Sequence, residues 1–454
     1  MLIWLFLVFF FSTLFPLFHL FNAIDWKNKG RKKLEALFAH EEQGFSILIP
    51  CYNEDMILRT TMDGLHQLNY ANYEVIFIND GSTDHTLDTL HTLLNLQAIS
   101  YHPGKLSHKP IKHVYQSRTF QNFYVIDKVN GGKADSLNSA IPLASKENII
   151  TLDADSVLEK QSLSIVNNYM QDPNIIAAGG MVHALQAKRS KEPLTLSFKN
   201  LKSVVQFQIF EYLKGFYVYK KSLAKLDALA IISGAFGIFK RNILLELNGY
   251  KETLGEDIDI TLRFQQYIHR SPHKKIVFIP EAICYTECPE TWGDLFKQRI
   301  RWQKAFIDCV IKHFPFFLKT FLTRTLGFFF LIDAFLIGVI GSYFTLTSFV
   351  FLSLEHDTEF ALQSAAVYII GSFICNIIYN SIAVYLSYKE GVRLKGKDIL
   401  IFLKVLCLDL LVYRFVTLFF VMFGTFLYLF NRKSWNKVAR TGRVYKFEKQ
   451  KVGA

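Results

Sequence analysis

Two carboxylates, Asp153-Ala154-Asp155, stand directly behind the apolar run Asn148-Ile149-Ile150-Thr151-Leu152. Acids at i and i+2 beyond a strand can share a divalent cation, which would neutralise a departing diphosphate as Lewis acid and template. A divalent cation is therefore the expected cofactor, with Asp153 and Asp155 as its ligands. Isolated acid pairs of this spacing arise by chance; the long apolar strand in front favours chemistry. Similar polar endings close two other apolar runs, as Ile49-Pro50-Cys51-Tyr52-Asn53-Glu54 and as Asn79-Asp80-Gly81-Ser82-Thr83-Asp84. A carboxylate there can accept from an imide N–H or a ribose hydroxyl. Asp84 reads better as a helix-capping acid. In Asn130-Gly131-Gly132-Lys133-Ala134-Asp135 the glycines permit close backbone approach. A helix starting there offers Lys133 and its N–H groups to phosphate, although a plain glycine turn fits the same letters.

Gly255-Glu256-Asp257 opens a helical pattern that continues to Tyr267. An inverting group transfer needs one general base on the acceptor hydroxyl, and Asp257 is the candidate. Glu256 and Asp259 are close enough to compete for that role, and acids in a first helical turn also serve the helix dipole. Gln298-Arg299-Ile300-Arg301-Trp302 precedes a strongly apolar region. An Arg can clamp a diphosphate, and a Trp can stack on a sugar face. The competing reading is an Arg/Trp belt at a membrane interface.

These groups need a frame that gathers strand ends. Runs at 46–49, 75–78, 123–126 and 148–152 read as buried strands, each followed by polar or glycine residues and a helical pattern. That succession predicts an α/β, Rossmann-like doubly wound domain, with ligands at the carboxyl ends of its strands. No P-loop and no GxGxxG occurs, so phosphates must be held another way. The basic and aromatic stretch 101–122, before the third run, has no evident purpose.

The chain of 454 residues is 51% hydrophobic, yet 20% of it is charged. Such a mixture suits a soluble domain joined to membrane segments. Residues 1–24 carry no charge and can cross a bilayer core, and their length and missing basic start argue against a cleaved signal. Segments 326–354, with one buried acid at Asp333, and 360–388 read as further spans. Residues 398–430, interrupted by Lys404, Asp409 and Arg414, suggest an interfacial piece followed by one span. Net charge is +12, and the cations cluster beside apolar segments: Lys27, Lys29, Arg31, Lys32 and Lys33 at one end, Arg432, Lys433, Lys437, Arg440 and Arg443 at the other. That placement follows the positive-inside rule and excludes nucleic acid as the expected partner. The loop 389–397 and the tail are both basic with one span between them, so the side of the tail stays open. Six scattered cysteines complete no zinc site and read as reduced thiols. The resulting division is a membrane helix at 1–24, a basic linker at 25–44, a catalytic domain at 45–290, interfacial helices at 291–324, membrane segments at 325–430 and a basic tail at 431–454.

The ordered set Tyr52-Asn53-Glu54, Asp80-Gly81-Ser82, Asp153-Ala154-Asp155, Gly255-Glu256-Asp257 and Gln298-x-x-Arg301-Trp302 resembles the processive family 2 glycosyltransferases. That family includes poly-N-acetylglucosamine, hyaluronan and cellulose synthases. The resemblance covers roughly 45–302 and implies a GT-A fold, a UDP-sugar donor, Mg2+ or Mn2+ as cofactor, inversion to a β-linkage and a polymer exported through the membrane. It implies that Tyr52, Glu54 and Asp80 contact uridine and that Asp153 and Asp155 hold donor and metal. Asp257 becomes the base, with Lys133 on the donor. Gln298, Arg301 and Trp302 line the diphosphate and acceptor end, together with Glu256 and the segment containing Ser233 and Gly234. Two positions depart from the family pattern: Asn79, often a second Asp, and Gly255, often Thr or Ser. The layout is closest to poly-N-acetylglucosamine synthase, which makes UDP-N-acetylglucosamine the first guess for the donor. The expected setting is a multi-pass plasma-membrane protein with its catalytic domain in the cytosol. Its expected partners are lipids, the growing polysaccharide and an accessory export subunit. A single-transfer enzyme acting on a lipid-linked acceptor is the alternative enzyme, and a non-enzymatic membrane transporter or scaffold is the alternative of another class.

Overall fold

The protein is described here by a computed structural model covering residues 2–24, 41–101, 104–188, 195–355, 358–394 and 398–430. The basic clusters at 27–33 and beyond 430 lie outside the described residues. The strands are β1 (Phe45–Cys51), β2 (Tyr73–Asp80), β3 (Leu96–Ala98), β4 (Ile111–Ser117), β5 (Phe123–Lys128), β6 (Asn148–Leu152), β7 (Ser156–Leu158), β8 (Ile175–Ala184), β9 (Thr195–Leu196), β10 (Phe236–Lys240), β11 (Lys275–Thr286) and β12 (Arg393–Leu394). All except β9 and β12 form one sheet, ordered β3-β4-β5-β2-β1-β6-β10-β8-β11-β7.

The four expected runs are β1, β2, β5 and β6. They pair in parallel at the sheet centre, and β6 is buried at every position. Continuous apolar strands belong there because both faces are covered. Their parallel order puts all four carboxyl ends on one edge. In register, Cys51 stands beside Asn79, Asn79 beside Asp127, and Asp80 beside Lys128. β10 runs antiparallel to β6, pairing Phe236 with Leu152 and Lys240 with Asn148. It therefore delivers the segment before Phe236 to the same edge. Residues 104–122 supply strand β4, paired between β3 and β5, and a loop over the helix Lys133–Ala140: Lys109 N–H donates to Asp135 Oδ2 (2.8 Å), and Asn138 Nδ2 to the Ser107 carbonyl (3.1 Å).

The chain divides into two compact units. One is the sheet domain. The other joins the N-terminal helices, the segment from 195 to Ala230 and the helices after Pro289. The segment 195–230, which the sequence reading keeps inside the catalytic domain, thus packs with the helical unit. Its β9 pairs with β12, Thr195 beside Arg393. Among the described residues three helices are long and apolar enough to cross a membrane: Phe6–Ala23, Thr325–Ser353 and Thr358–Lys389. Residues 399–430 run as one helical stretch through Asp409–Tyr413. Three of the charged side chains in these segments have partners. Asp333 Oδ2 accepts from Tyr219 (2.8 Å) and meets His19 Nε2 (3.0 Å), while Asp409 pairs with Lys214 (2.9 Å) and Arg414 donates to the Ser12 carbonyl (3.1 Å). Ionisable groups in apolar surroundings require such pairing.

Candidate active site

The loop after β1 is clipped to the loop after β2. Asn53 N–H donates to Ser82 Oγ (3.0 Å), Thr83 N–H to Asn53 Oδ1 (2.7 Å) and Glu54 N–H to Thr86 Oγ1 (2.8 Å). Tyr52 and Glu54 are thereby fixed next to the strand that carries Asp80. Asp84 bonds Thr86, through N–H (3.0 Å) and Oγ1 (2.6 Å), and so holds the first turn of its helix.

Asp80 is buried, and donors surround its carboxylate: Lys128 Nζ (2.8 Å) and Gly131 N–H (2.9 Å) at Oδ1, Gly132 N–H (2.7 Å) at Oδ2. The side chain expected to meet a nucleobase is therefore also the anchor of the glycine turn. Lys128 has no solvent exposure and also reaches Asp135 Oδ1 (2.5 Å), joining β2, β5 and the helix Lys133–Ala140. Sequence reasoning missed Lys128; its only signal was a cation ending an apolar strand. Asn79 Nδ2 donates to the buried Asp127 (2.7 Å). This accounts for Asn at position 79: an Asp there would face Asp127 as a second buried carboxylate.

Lys133 is the centre of the cluster at the β6 end. Its ammonium lies 2.5 Å from Asp153 Oδ1, 3.5 Å from Glu256 Oε1 and 3.3 Å from the Gly234 carbonyl. Burial works against this ammonium, yet Asp153, Glu256 and Asp257 together hold its pKa well above the ordinary lysine range. Asp257 sits in the first turn of the helix Glu256–Arg270, accepting from Ile258 N–H (2.9 Å) and Gly234 N–H (3.4 Å). A Cβ at Gly234 would stand 2.7 Å from Lys133 Nζ, so a side chain there would displace the ammonium from its place beside Asp153. Lys133, Asp153, Ser233-Gly234, Glu256 and Asp257 are thus brought together from four separate stretches of chain.

Asp155 is buried, with Oδ1 bonded to Thr286 Oγ1 (3.2 Å), where β7 pairs with β11. Thr286 is a second residue with no local signal in the sequence. Among the described residues no group of three or more His, Cys, Asp or Glu side chains converges on a metal position. Two carboxylates at a strand end still fit Mg2+ or Mn2+, which keep waters and take further oxygens from a bound diphosphate. The Lys133 ammonium already on Asp153 marks the spot as cation-seeking. Nearby Cys284 is fully buried; burial first, then Asp153 and Asp155, push its thiol pKa up, so it is no thiolate ligand.

Gln298, Arg301 and Trp302 lie in the other unit, on the helix Trp292–Thr320. Trp302 is exposed, and the guanidinium over its ring, 4.2 Å away, is that of Arg299. Arg299 is held by Glu211 Oε2 (2.7 Å), which also accepts from Tyr413 (2.8 Å). Arg299, Glu211 and Tyr413 therefore support the tryptophan, and nothing local in the sequence links the last two to it.

The family model for glycosyl transferase family group 2 matches residues 148–388, more than half of the chain, and that for glycosyl transferase family 2 matches residues 46–247. The chain belongs to glycosyltransferase family 2. It is 26% identical over 356 residues to a poly-beta-1,6-N-acetyl-D-glucosamine synthase of Staphylococcus epidermidis, covering 76% of this chain and 75% of that one. The corresponding synthase of Staphylococcus aureus strain COL is 27% identical over 285 residues, 62% of this chain and 58% of that one. Among solved structures, a mannosyltransferase from Pyrobaculum calidifontis in complex with GDP-Man and Mn2+ superposes with a TM-score of 0.52, at 16% identity, over 83% of this chain and 95% of that one. At that identity the likeness speaks for fold alone, and the sheet domain of this glycosyltransferase is a GT-A domain.

Proposed function

We propose that this family 2 glycosyltransferase is a membrane polysaccharide synthase that transfers N-acetylglucosamine from its UDP donor to a growing β-linked chain. The observation that carries the reading is the cluster of Lys133, Asp153, Glu256 and Asp257 at the carboxyl edge of the sheet. The names of the relatives support the donor and product, the three apolar helices support a multi-pass membrane protein, and the cations at 27–33 after the first apolar segment support a cytosolic catalytic unit. Tyr52, Glu54 and Asp80 would hold the uridine and Lys133 the diphosphate. Asp257 would take the proton of the acceptor hydroxyl as its oxygen attacks the anomeric carbon and the bond to UDP breaks on the opposite face, inverting that centre. When bound on Asp153 and Asp155, a divalent cation, Mg2+ or Mn2+, would neutralise the leaving UDP. Trp302, stacked by Arg299, would offer an aromatic face to the acceptor sugar, with Gln298 and Arg301 beside it.

The test is UDP release by purified protein in detergent from UDP-N-acetylglucosamine, UDP-glucose, UDP-galactose and UDP-glucuronate, with either metal, followed by product sizing. A long polymer from UDP-N-acetylglucosamine is the expected result. A long polymer from another donor overturns the sugar. A short or lipid-linked product overturns processivity and leaves a single-transfer enzyme.

A further inference from the structure

At the end of the sheet remote from Asp153, the start of β6 and the end of β10 border a cavity of about 530 Å3. Its floor is apolar, with Pro173, Ile176, Ile243 and Leu245, and its polar wall is Lys146, Lys240, Arg241 and Lys274 against one acid, Glu147. All four cations are half-buried, and among the described residues none has a carboxylate partner; Glu147 itself is exposed. Their hydrogen bonds go to neutral oxygens instead: Lys240 to Gln43 Oε1 (3.4 Å), Lys274 to the Pro173 carbonyl (3.0 Å), Arg241 to the carbonyls of Ile141 (3.1 Å) and Pro142 (3.3 Å). Lys275, next in sequence, is by contrast paired with Asp172 (2.7 Å). Burial pulls the Lys240 pKa down and Lys274 adds repulsion, only partly offset by Glu147. Several like charges sharing one recess repel one another, and a bound anion would relieve that repulsion.

We propose that this cavity is an anion site separate from the donor site, taking a phosphate-bearing ligand with at least two negative charges. The cations supply charge-assisted hydrogen bonds to phosphate oxygens, and the apolar floor receives the ligand's body. The site stands on its own and does not depend on which sugar the enzyme transfers. It is separated from Leu152 by the length of β6, four residue steps or roughly 13 Å of strand. β10 spans the same distance, from Lys240 to Phe236 beside the Ser233-Gly234 segment, so an occupant would touch one end of the strand whose other end borders Asp257.

The experiment is calorimetric titration of the full chain in detergent with inorganic pyrophosphate, without divalent metal, for wild type, K240M/K274M and K133M. Binding that weakens about tenfold or more in K240M/K274M, with one such component kept in K133M, is expected. No pyrophosphate binding, or binding lost only in K133M, overturns the proposal. Melting temperatures accompany each variant, and K146M and K274M singly carry the test should the double variant misfold. Repeating the titration in phosphatidylcholine vesicles with and without phosphatidylglycerol separates the sources of the phosphate. Loss of binding in the anionic vesicles assigns a lipid headgroup and retained binding a soluble ligand; both keep the site.

Discussion

Asp257 and Asp153 are both in reach of one ammonium, yet their expected roles differ. Asp257 faces the Ser233-Gly234 segment, whereas Asp153 belongs to the strand end with Asp155. D257N should therefore lower UDP release by at least about a hundredfold while donor affinity changes little, because a base acts on the acceptor. Lost donor affinity with normal turnover would remove Asp257 from that role. Asn79 makes a second residue-scale case. N79D places a carboxylate against buried Asp127, at the 2.7 Å spacing where an amide now donates. It should destabilise the sheet domain by about 2 kcal/mol, and N79D/D127N should restore most of the loss in thermal melts. Equal melting of N79D and wild type would disprove the account of that position.

At the scale of elements, one buried lysine joins three of them. Lys128 neutralises part of the charge of Asp80 on β2 and Asp135 on the following helix, and Asp80 in turn fixes the Gly131-Gly132 turn. Gly132 has φ 86°, a conformation that favours glycine, and the helix bearing Lys133 begins one residue later. K128M should cost about 3 kcal/mol, since buried Asp80 and half-buried Asp135 lose their cation. Donor affinity should fall with it, and K128M/D135N should recover part of the stability. Chemical denaturation and donor titration read both effects. The stretch 101–122 belongs to this assembly: it closes over the same helix through Lys109 and Ser107.

For the whole molecule, the sheet domain carries a buried histidine that should contribute to its acid response. His183 on β8 is fully enclosed, and burial pushes its pKa down to about 4. An unfolded chain protonates the same imidazole below about pH 6.5, so the unfolded state binds more protons between those values. Stability contributed by the neutral ring is complete above about pH 6.5 and is lost as pH falls towards 4, up to roughly 3 kcal/mol. H183Q should flatten that part of the melting-temperature profile; an unchanged profile would assign the acid response to other groups. The second unit depends on a different balance, in which His19, Tyr219 and Asp333, and Lys214 with Asp409, satisfy polar groups among apolar helices.

The sequence by itself determined the four parallel strands, the acids at their ends, the helices opening at Lys133 and Glu256, and the apolar segments. Each of these is written in local periodicity or in a short motif, because strand burial and helix starts depend on neighbours in the chain. The tertiary structure decided which of the acids share a cation. Lys133, Asp153, Gly234 and Glu256 converge only because β10 returns antiparallel beside β6 and brings its loop to the parallel edge. It also assigned Lys128, Thr286, Arg299 and Glu211 their supporting roles, and the segment 195–230 its place with the membrane helices. None of these is legible locally, since each depends on a partner many residues away whose position is fixed only by packing.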